Sequence, residues 1–196
     1  MARIDYPDFE RVASPVRETF EALPVSLNVF RMLAHAQTLL RPFLRFGGAI
    51  LTQLELDPGL REVAILEVAR VTPAEYEWVQ HVPIALAVGV SREQVAAIER
   101  GEITAAVLHA DQRLVLAFTD EVVRDARASD ATFAAVAQRF CEREIVELLL
   151  TIGSYMMLAR VMRILDLELD EPAGTAVVDS AGPKRRGRAA AEGPGA

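Results

Sequence analysis

Three side chains in this sequence combine types and spacing suited to proton transfer: Glu62, Glu77 and His81. Glu77 and His81 are four residues apart, about one helical turn, so an acid and an imidazole share one side of a helix. An imidazole that titrates near neutrality can give or take a proton at working pH, and a neighbouring carboxylate fixes its tautomer. Burial would shift either group further. The spacing leaves a second arrangement open, in which Glu77 and His81 form an ordinary satisfied pair and Glu62 is bound by Arg61, Arg70 or Arg160.

The elements that must hold these groups lie in residues 61–89, REVAILEVARVTPAEYEWVQHVPIALAVG, which reads as two helices and a tight connection. On the first, Glu62 shares a face with Ile65, Leu66 and Ala69, because steps of three and four return to one side of a helix. A carboxylate on that stripe is not plain solvent coating. On the second, Ala74, Ile84, Ala85 and Val88 accompany Glu77 and His81. Asp57-Pro58 is a cap-then-proline start for the first helix, and Thr72-Pro73 with Glu75 reads as a capping box for the second. Pro83 should kink the second helix just after His81, and Gly89 fits a left-handed C-cap.

Elsewhere the pattern is helical throughout. Ser14-Pro15 starts a helix to about Leu23, and residues 27–53 carry helical spacing with breaks expected at Pro42 and Gly47-Gly48. Ser91 with Gln94 opens a short helix closed by Gly101, and further helices are expected over 111–126, 131–140 and 143–165. The last is apolar on nearly every side, as suits a central or interface helix, with Glu147, Thr151 and Tyr155 as a ladder along it. His35 reads as a satisfied core histidine and His109 as exposed or capping. No alternating segment is long enough for a strand. Residues 171–196, with the basic run KRRGR, show no periodicity and are expected to form a disordered, solvated tail on a domain spanning 1–170.

Composition narrows the function classes. A chain of 196 residues can bury a substantial core in one domain. Hydrophobic residues make up 52% of it, and the mean hydropathy of +0.21 is high for a soluble monomer, so a homo-oligomer is expected. The single cysteine, Cys141, permits no internal disulfide and no cysteine-rich zinc cluster, which suits a reducing cytoplasm. The net charge is −7, and residues 171–196 hold four basic against three acidic side chains, which leaves −8 on residues 1–170. An acidic body argues against nucleic acid as a partner. The N-terminus MARIDYPDFE lacks the basic start and apolar core of a signal peptide. The most apolar stretch, 145–159, is 15 residues long and includes Glu147, short of the ~20 apolar residues of a membrane span, so no membrane partner is expected.

Several chemistries lack their motifs. The sequence contains no glycine-rich phosphate loop, no Gly-x-Ser-x-Gly elbow and no Asp-rich calcium loop. Glu77 and His81 have the spacing of half a metal site, but the other histidines, His35 and His109, lie far off in sequence, so no metal site is expected.

The run REVAILEVARVTPAEYEWVQHVPIALAVGVSREQVAAI, followed by ELLLTIGSYMMLARVMRILDLELDE, resembles the carboxymuconolactone decarboxylase and AhpD-like alkylhydroperoxidase superfamily over about residues 25–171. Its most specific parts are Arg61-Glu62, Glu75 to Trp78 with His81, and the segment 153–160. The resemblance implies an all-α fold, here an AhpD-like bundle of about seven to nine helices, assembled as a trimer or hexamer. In the redox-active branch, a glutamate and a histidine flank a Cys-x-x-Cys pair. Those positions fall on Glu62 and His81, with Ala74 and Glu77 where the cysteines would be. Without a thiolate nucleophile or a disulfide to cycle, thiol peroxidase activity is the least expected outcome.

What remains resembles the decarboxylase branch, which implies loss of CO₂ from a carboxylated or lactone-like small molecule without metal or organic cofactor. On that likeness His81 is the proton donor or shuttle, Glu62 and Glu77 set its state, and Arg160 holds a substrate carboxylate. Tyr76, Trp78 and Tyr155 are the further substrate-binding candidates. A non-catalytic, ligand-binding oligomer of the same fold is the alternative.

Overall fold

The computed structural model describes residues 1–181, which contain ten helices and no strand: α1 (Ser14–Glu21), α2 (Asn28–Leu33), α3 (Gln37–Thr52), α4 (Pro58–Val71), α5 (Glu75–Ala87), α6 (Arg92–Glu99), α7 (Ala110–Asp125), α8 (Asp130–Arg139), α9 (Glu142–Ile164) and α10 (Ala176–Ala181). The count slightly exceeds the expected seven to nine because α2 and α10, six residues each, form beside the longer helices.

Helix α4 is the axis of the bundle. Asp57 caps it by accepting the Leu60 N–H at 3.0 Å, and Pro58 supplies a pre-set φ at its first position. From Arg61 to Ala69 every residue is buried, because α5, α6, α7 and α9 pack around it. A helix buried on all sides must place any charged residue in the interior with partners, or pay desolvation. Arg61, Glu62 and Glu67 meet that condition. Arg70 donates to Glu67 and, at 3.2 Å, to Asp120, which ties α4 to α7. Gly101 closes α6 with φ +72°, and a Cβ there would stand 3.1 Å from the Arg70 guanidinium.

Residues 27–53 divide into α2 and α3, but α3 runs unbroken through Pro42, Gly47 and Gly48. Helix α5 likewise continues through Pro83. The capping box expected at Thr72 is absent: the Thr72 hydroxyl bonds back to the Val68 carbonyl at 2.7 Å, and α5 starts after Ala74 with no side-chain cap. A hydroxyl satisfied by the preceding helix cannot also cap the next. The Ser91–Gln94 capping box of α6 does form.

Helix α9 is the one described helix long and apolar enough, by length and composition, to cross a membrane. One face of it packs on α3, α4, α5, α7 and α8. The other exposes Val146, Leu149, Leu150, Met157 and Ile164. Helix α9 is therefore both a core helix and a large apolar surface.

The chain after α9 does not leave the body at residue 170. Segment 165–170 pairs with the N-terminus, through Arg3 N–H to the Leu165 carbonyl at 2.8 Å and the Tyr6 hydroxyl to Glu168 at 2.7 Å. Residues 171–181 then lie along the bundle, and α10 packs on α3. Over 171–181, Ala173 and Val177 cover an apolar cluster that contains Leu27, Val29 and Met162. The remainder of the expected tail lies outside the described residues.

Candidate active site

Helices α4 and α5 bring Glu62 and His81 together, as their faces predict. The Nδ1 of His81 lies 2.8 Å from Oε2 of Glu62, and Arg61 Nε donates to the other oxygen, Oε1, at 2.8 Å. Arg61 Nη1 also donates to the Leu51 carbonyl at 2.7 Å, which fixes the guanidinium behind the carboxylate. Glu62 is fully buried and Arg61 nearly so, so this pair is shielded from water. With Glu62 a carboxylate held by Arg61, His81 Nδ1 is the donor of its bond, and Nε2 is left to accept. Of the three arginines open from the sequence, Arg61 is therefore the partner of Glu62.

Glu77 does something different from what the spacing suggests. It sits one turn before His81 on α5, yet neither carboxyl oxygen has a hydrogen-bond partner among the described residues. It is 2% exposed, and burial alone pushes its carboxyl well above the usual carboxylate range. Burial thus favours the protonated form of the Glu77 carboxyl, and it is Glu62, not Glu77, that bonds His81.

Glu77 and His81 line a cavity of about 250 Å³ between α2, α3, α5, α9 and the C-terminal segment. Its walls are mostly apolar, from Leu27, Phe43, Leu51, Ile84 and Leu158 among others. Tyr155 of α9 joins it, with its ring edge-on to the His81 imidazole at 4.8 Å between centroids. Burial, reinforced by Glu62 and Glu77, holds the Tyr155 hydroxyl well above its ordinary range, so it remains a neutral phenol. Tyr76 also lines the cavity, but its hydroxyl is occupied, accepting from the Val29 N–H at 3.3 Å and donating to Asp170.

Two expected substrate contacts are not at this cavity. Trp78 packs against Ala69, Ala74 and Ala159, because its position on α5 turns it toward α4 and α9. Arg160 is exposed on the outer face of α9, and its Nη1 donates to the Met156 carbonyl at 2.5 Å. Among the described residues no lysine or arginine lines the cavity. His35 is exposed after α2, its Nε2 2.8 Å from the Asp5 carbonyl, and is not a core histidine. His109 stands at the start of α7, where its N–H donates to Gln112 at 2.8 Å. Cys141 is exposed at the start of α9 and far from this site. No group of three or more metal-ligating side chains is assembled among the described residues.

Gln80 is a cavity residue that the sequence reading missed. Its Nε2 donates to the carbonyls of Asp170 and Glu171, both at 3.2 Å, and its Oε1 accepts the Ala173 N–H at 3.0 Å. The available signal was its position three residues after Glu77, on the same helical face.

A sequence profile of the Carboxymuconolactone decarboxylase family matches residues 37–121, the span from α3 to most of α7 and hence the whole Arg61–Glu62–His81 arrangement. This match covers less than half of the 196 residues and supports a place in the carboxymuconolactone decarboxylase and AhpD-like superfamily. Solved structures share the fold at low identity. A protein from Ralstonia eutropha JMP134, described as an alkylhydroperoxidase AhpD core and uncharacterized peroxidase-related protein, is 18% identical, with a TM-score of 0.74 over 93% of this chain and 98% of that one. An uncharacterized peroxidase-related protein from Silicibacter sp. TM1040 is 20% identical, with a TM-score of 0.74 over 86% and 92%. A cysteine-to-alanine variant of the debrominase Bmp8, in complex with 2,3,4-tribromopyrrole, is 18% identical, with a TM-score of 0.71 over 92% and 100%. A search of curated protein sequences finds no match.

Proposed function

We propose that this protein is a cofactor-independent acid/base enzyme of the carboxymuconolactone decarboxylase-like class, acting on a small lactone-like or carboxylated molecule. The observation that carries this reading is the division of labour between two acids. Glu62, backed by Arg61, holds His81 through Nδ1, and Glu77 stands partnerless in the same cavity. His81 Nε2 takes a proton from a carbon acid or returns it to carbon. The imidazolium so formed faces the Glu62 carboxylate, which stabilises it. Glu77, as a neutral acid, donates a hydrogen bond to the substrate carbonyl oxygen on which negative charge develops. In a decarboxylation His81 starts as the imidazolium, protonated from solvent; the C–CO₂ bond breaks and CO₂ leaves, its electron pair delocalises into the conjugated lactone carbonyl, and the imidazolium gives its proton to the resulting carbon.

Lactone-like chemistry is favoured over a strongly carboxylated substrate, since Arg160 lies outside the cavity. The tribromopyrrole carried by the debrominase supports a small ring as the size of ligand that the fold accepts. Thiol peroxidase chemistry has no support here, with Ala74 and Glu77 in place of a cysteine pair. The exposed apolar face of α9 supports a homo-oligomer, as a trimer or hexamer, and the lone unpaired cysteine a cytoplasmic setting.

The test is deuterium exchange at the carbon next to the carbonyl, followed by proton NMR across a panel of small lactones and cyclic enones. His81→Ala should lose about 10²- to 10⁴-fold of the exchange rate while keeping the helical circular dichroism of the parent. Unchanged exchange in a folded variant would sink the His81 mechanism and leave a ligand-binding protein of the same fold.

A further inference from the structure

The Glu77 carboxyl is a buried polar group for which the protein supplies nothing. Both oxygens lack partners among the described residues, and the residue lines the cavity on the same helix face as His81. A buried polar group left unsatisfied costs about 1–3 kcal/mol, so a carboxyl without a partner at this mostly apolar cavity calls for one from outside the chain. Burial pushes its pKa upward and so favours the protonated carboxyl, which can donate a hydrogen bond to a ligand acceptor.

Charge narrows that partner. No lysine or arginine lines the cavity among the described residues, and the Arg61 guanidinium behind His81's partner is committed to Glu62 and the Leu51 carbonyl. A ligand carboxylate would be desolvated beside Glu77 with no lysine or arginine to meet it, at a cost of several kcal/mol. The volume of about 250 Å³ corresponds to about eight water molecules at ~30 Å³ each, enough for one or two fused rings.

We propose that the cavity selects a small uncharged ring compound bearing one hydrogen-bond acceptor, which bonds to the Glu77 carboxyl while its apolar body lies against Leu51, Ile84 and Leu158. This rests on the acid/base reading for the identity of the site and, within it, favours proton transfer on uncharged carbonyl compounds over substrates bearing the carboxylate that a decarboxylation needs.

Three probes of similar size separate the contributions, each titrated into the full chain at pH 7 with ligand-observed NMR or calorimetry. Coumarin is a neutral lactone, naphthalene lacks an acceptor, and coumarin-3-carboxylate adds a charge. Coumarin should bind at least tenfold more tightly than either of the others. In Glu77→Leu, a variant expected to fold because it removes an unsatisfied polar group, the preference for coumarin over naphthalene should fall to within twofold. The proposal is overturned if the carboxylate binds as well as coumarin, if the leucine variant keeps the tenfold preference, or if no probe binds at millimolar concentration. Turnover enters none of these readouts. Failure of the His81 mechanism would leave the binding order intact, and a reversed binding order would leave His81-dependent exchange to be read separately.

Discussion

His81 Nδ1 and Glu62 Oε2 meet at 2.8 Å across two helices, from positions 19 residues apart, while Glu77, one turn from His81 on its own helix, bonds to neither. This relationship gives two glutamates of the same type opposite surroundings. Glu62 is held by Arg61 and His81, and Glu77 faces a cavity with neither carboxyl oxygen partnered among the described residues.

Removing the charge of Glu62 should be costly. Glu62→Gln leaves the Arg61 guanidinium buried without its counter-charge and releases His81 Nδ1 from a carboxylate. Breaking a buried pair from one side costs about 3–5 kcal/mol. Urea unfolding should show a midpoint lowered accordingly, together with loss of His81-dependent exchange. A loss below about 1 kcal/mol would show that the pair is not buried as described.

Glu77→Leu should stabilise the protein at pH 7, by about 1–3 kcal/mol, because it removes an unsatisfied buried acid. The sign with pH follows from the raised pKa. The unfolded glutamate titrates near ~4.3, whereas the folded one stays protonated above that value. The contribution of Glu77 is therefore fully present below ~4.3 and is lost as pH rises toward the folded pKa. The advantage of the leucine variant should grow from pH 4 to 7 in denaturant titrations. A difference that shrinks over that range would contradict a buried neutral Glu77.

Gln80→Ala removes the three hydrogen bonds that hold residues 170–173. Each contributes on the order of 0.5–1.5 kcal/mol. Amide hydrogen exchange over peptides covering 168–181 should accelerate several-fold, with little change in α4. Equal protection in the variant would mean that the apolar contacts of Ala173 and Val177 suffice.

Gly101→Ala tests the packing of Arg70. A left-handed backbone costs a residue with a side chain about 1–2 kcal/mol, and the new Cβ would crowd the guanidinium from 3.1 Å. A thermal midpoint unchanged from that of the parent would place Arg70 elsewhere.

A peroxide-consumption assay with a dithiol reductant should give the background rate for both the parent and Cys141→Ser. The sole thiol is exposed and distant from His81. Robust thiol-dependent turnover that is lost in the serine variant would overturn this.

Much of the site could be read from sequence because helices carry their own geometry. The 3.6-residue period placed Glu62 on the buried stripe of α4, the four-residue step placed His81 on the inner face of α5, and Asp57-Pro58 fixed where α4 begins. The resemblance that puts Ala74 and Glu77 at the cysteine positions makes dithiol chemistry the least expected outcome. Periodicity says which residues point inward, but not which partner each one meets. Only the packing of α4 against α5 decided that Glu62 and not Glu77 bonds His81, and that Arg61 completes the pair. It also turned Trp78 and Arg160 away from the cavity. The segment after residue 170 shows the same limit: its composition offers little to pack, and it is held over residues 171–181 because Gln80 and the exposed edge of an apolar cluster wait for it on other helices. Such contacts depend on the arrangement of distant elements, which no local pattern encodes.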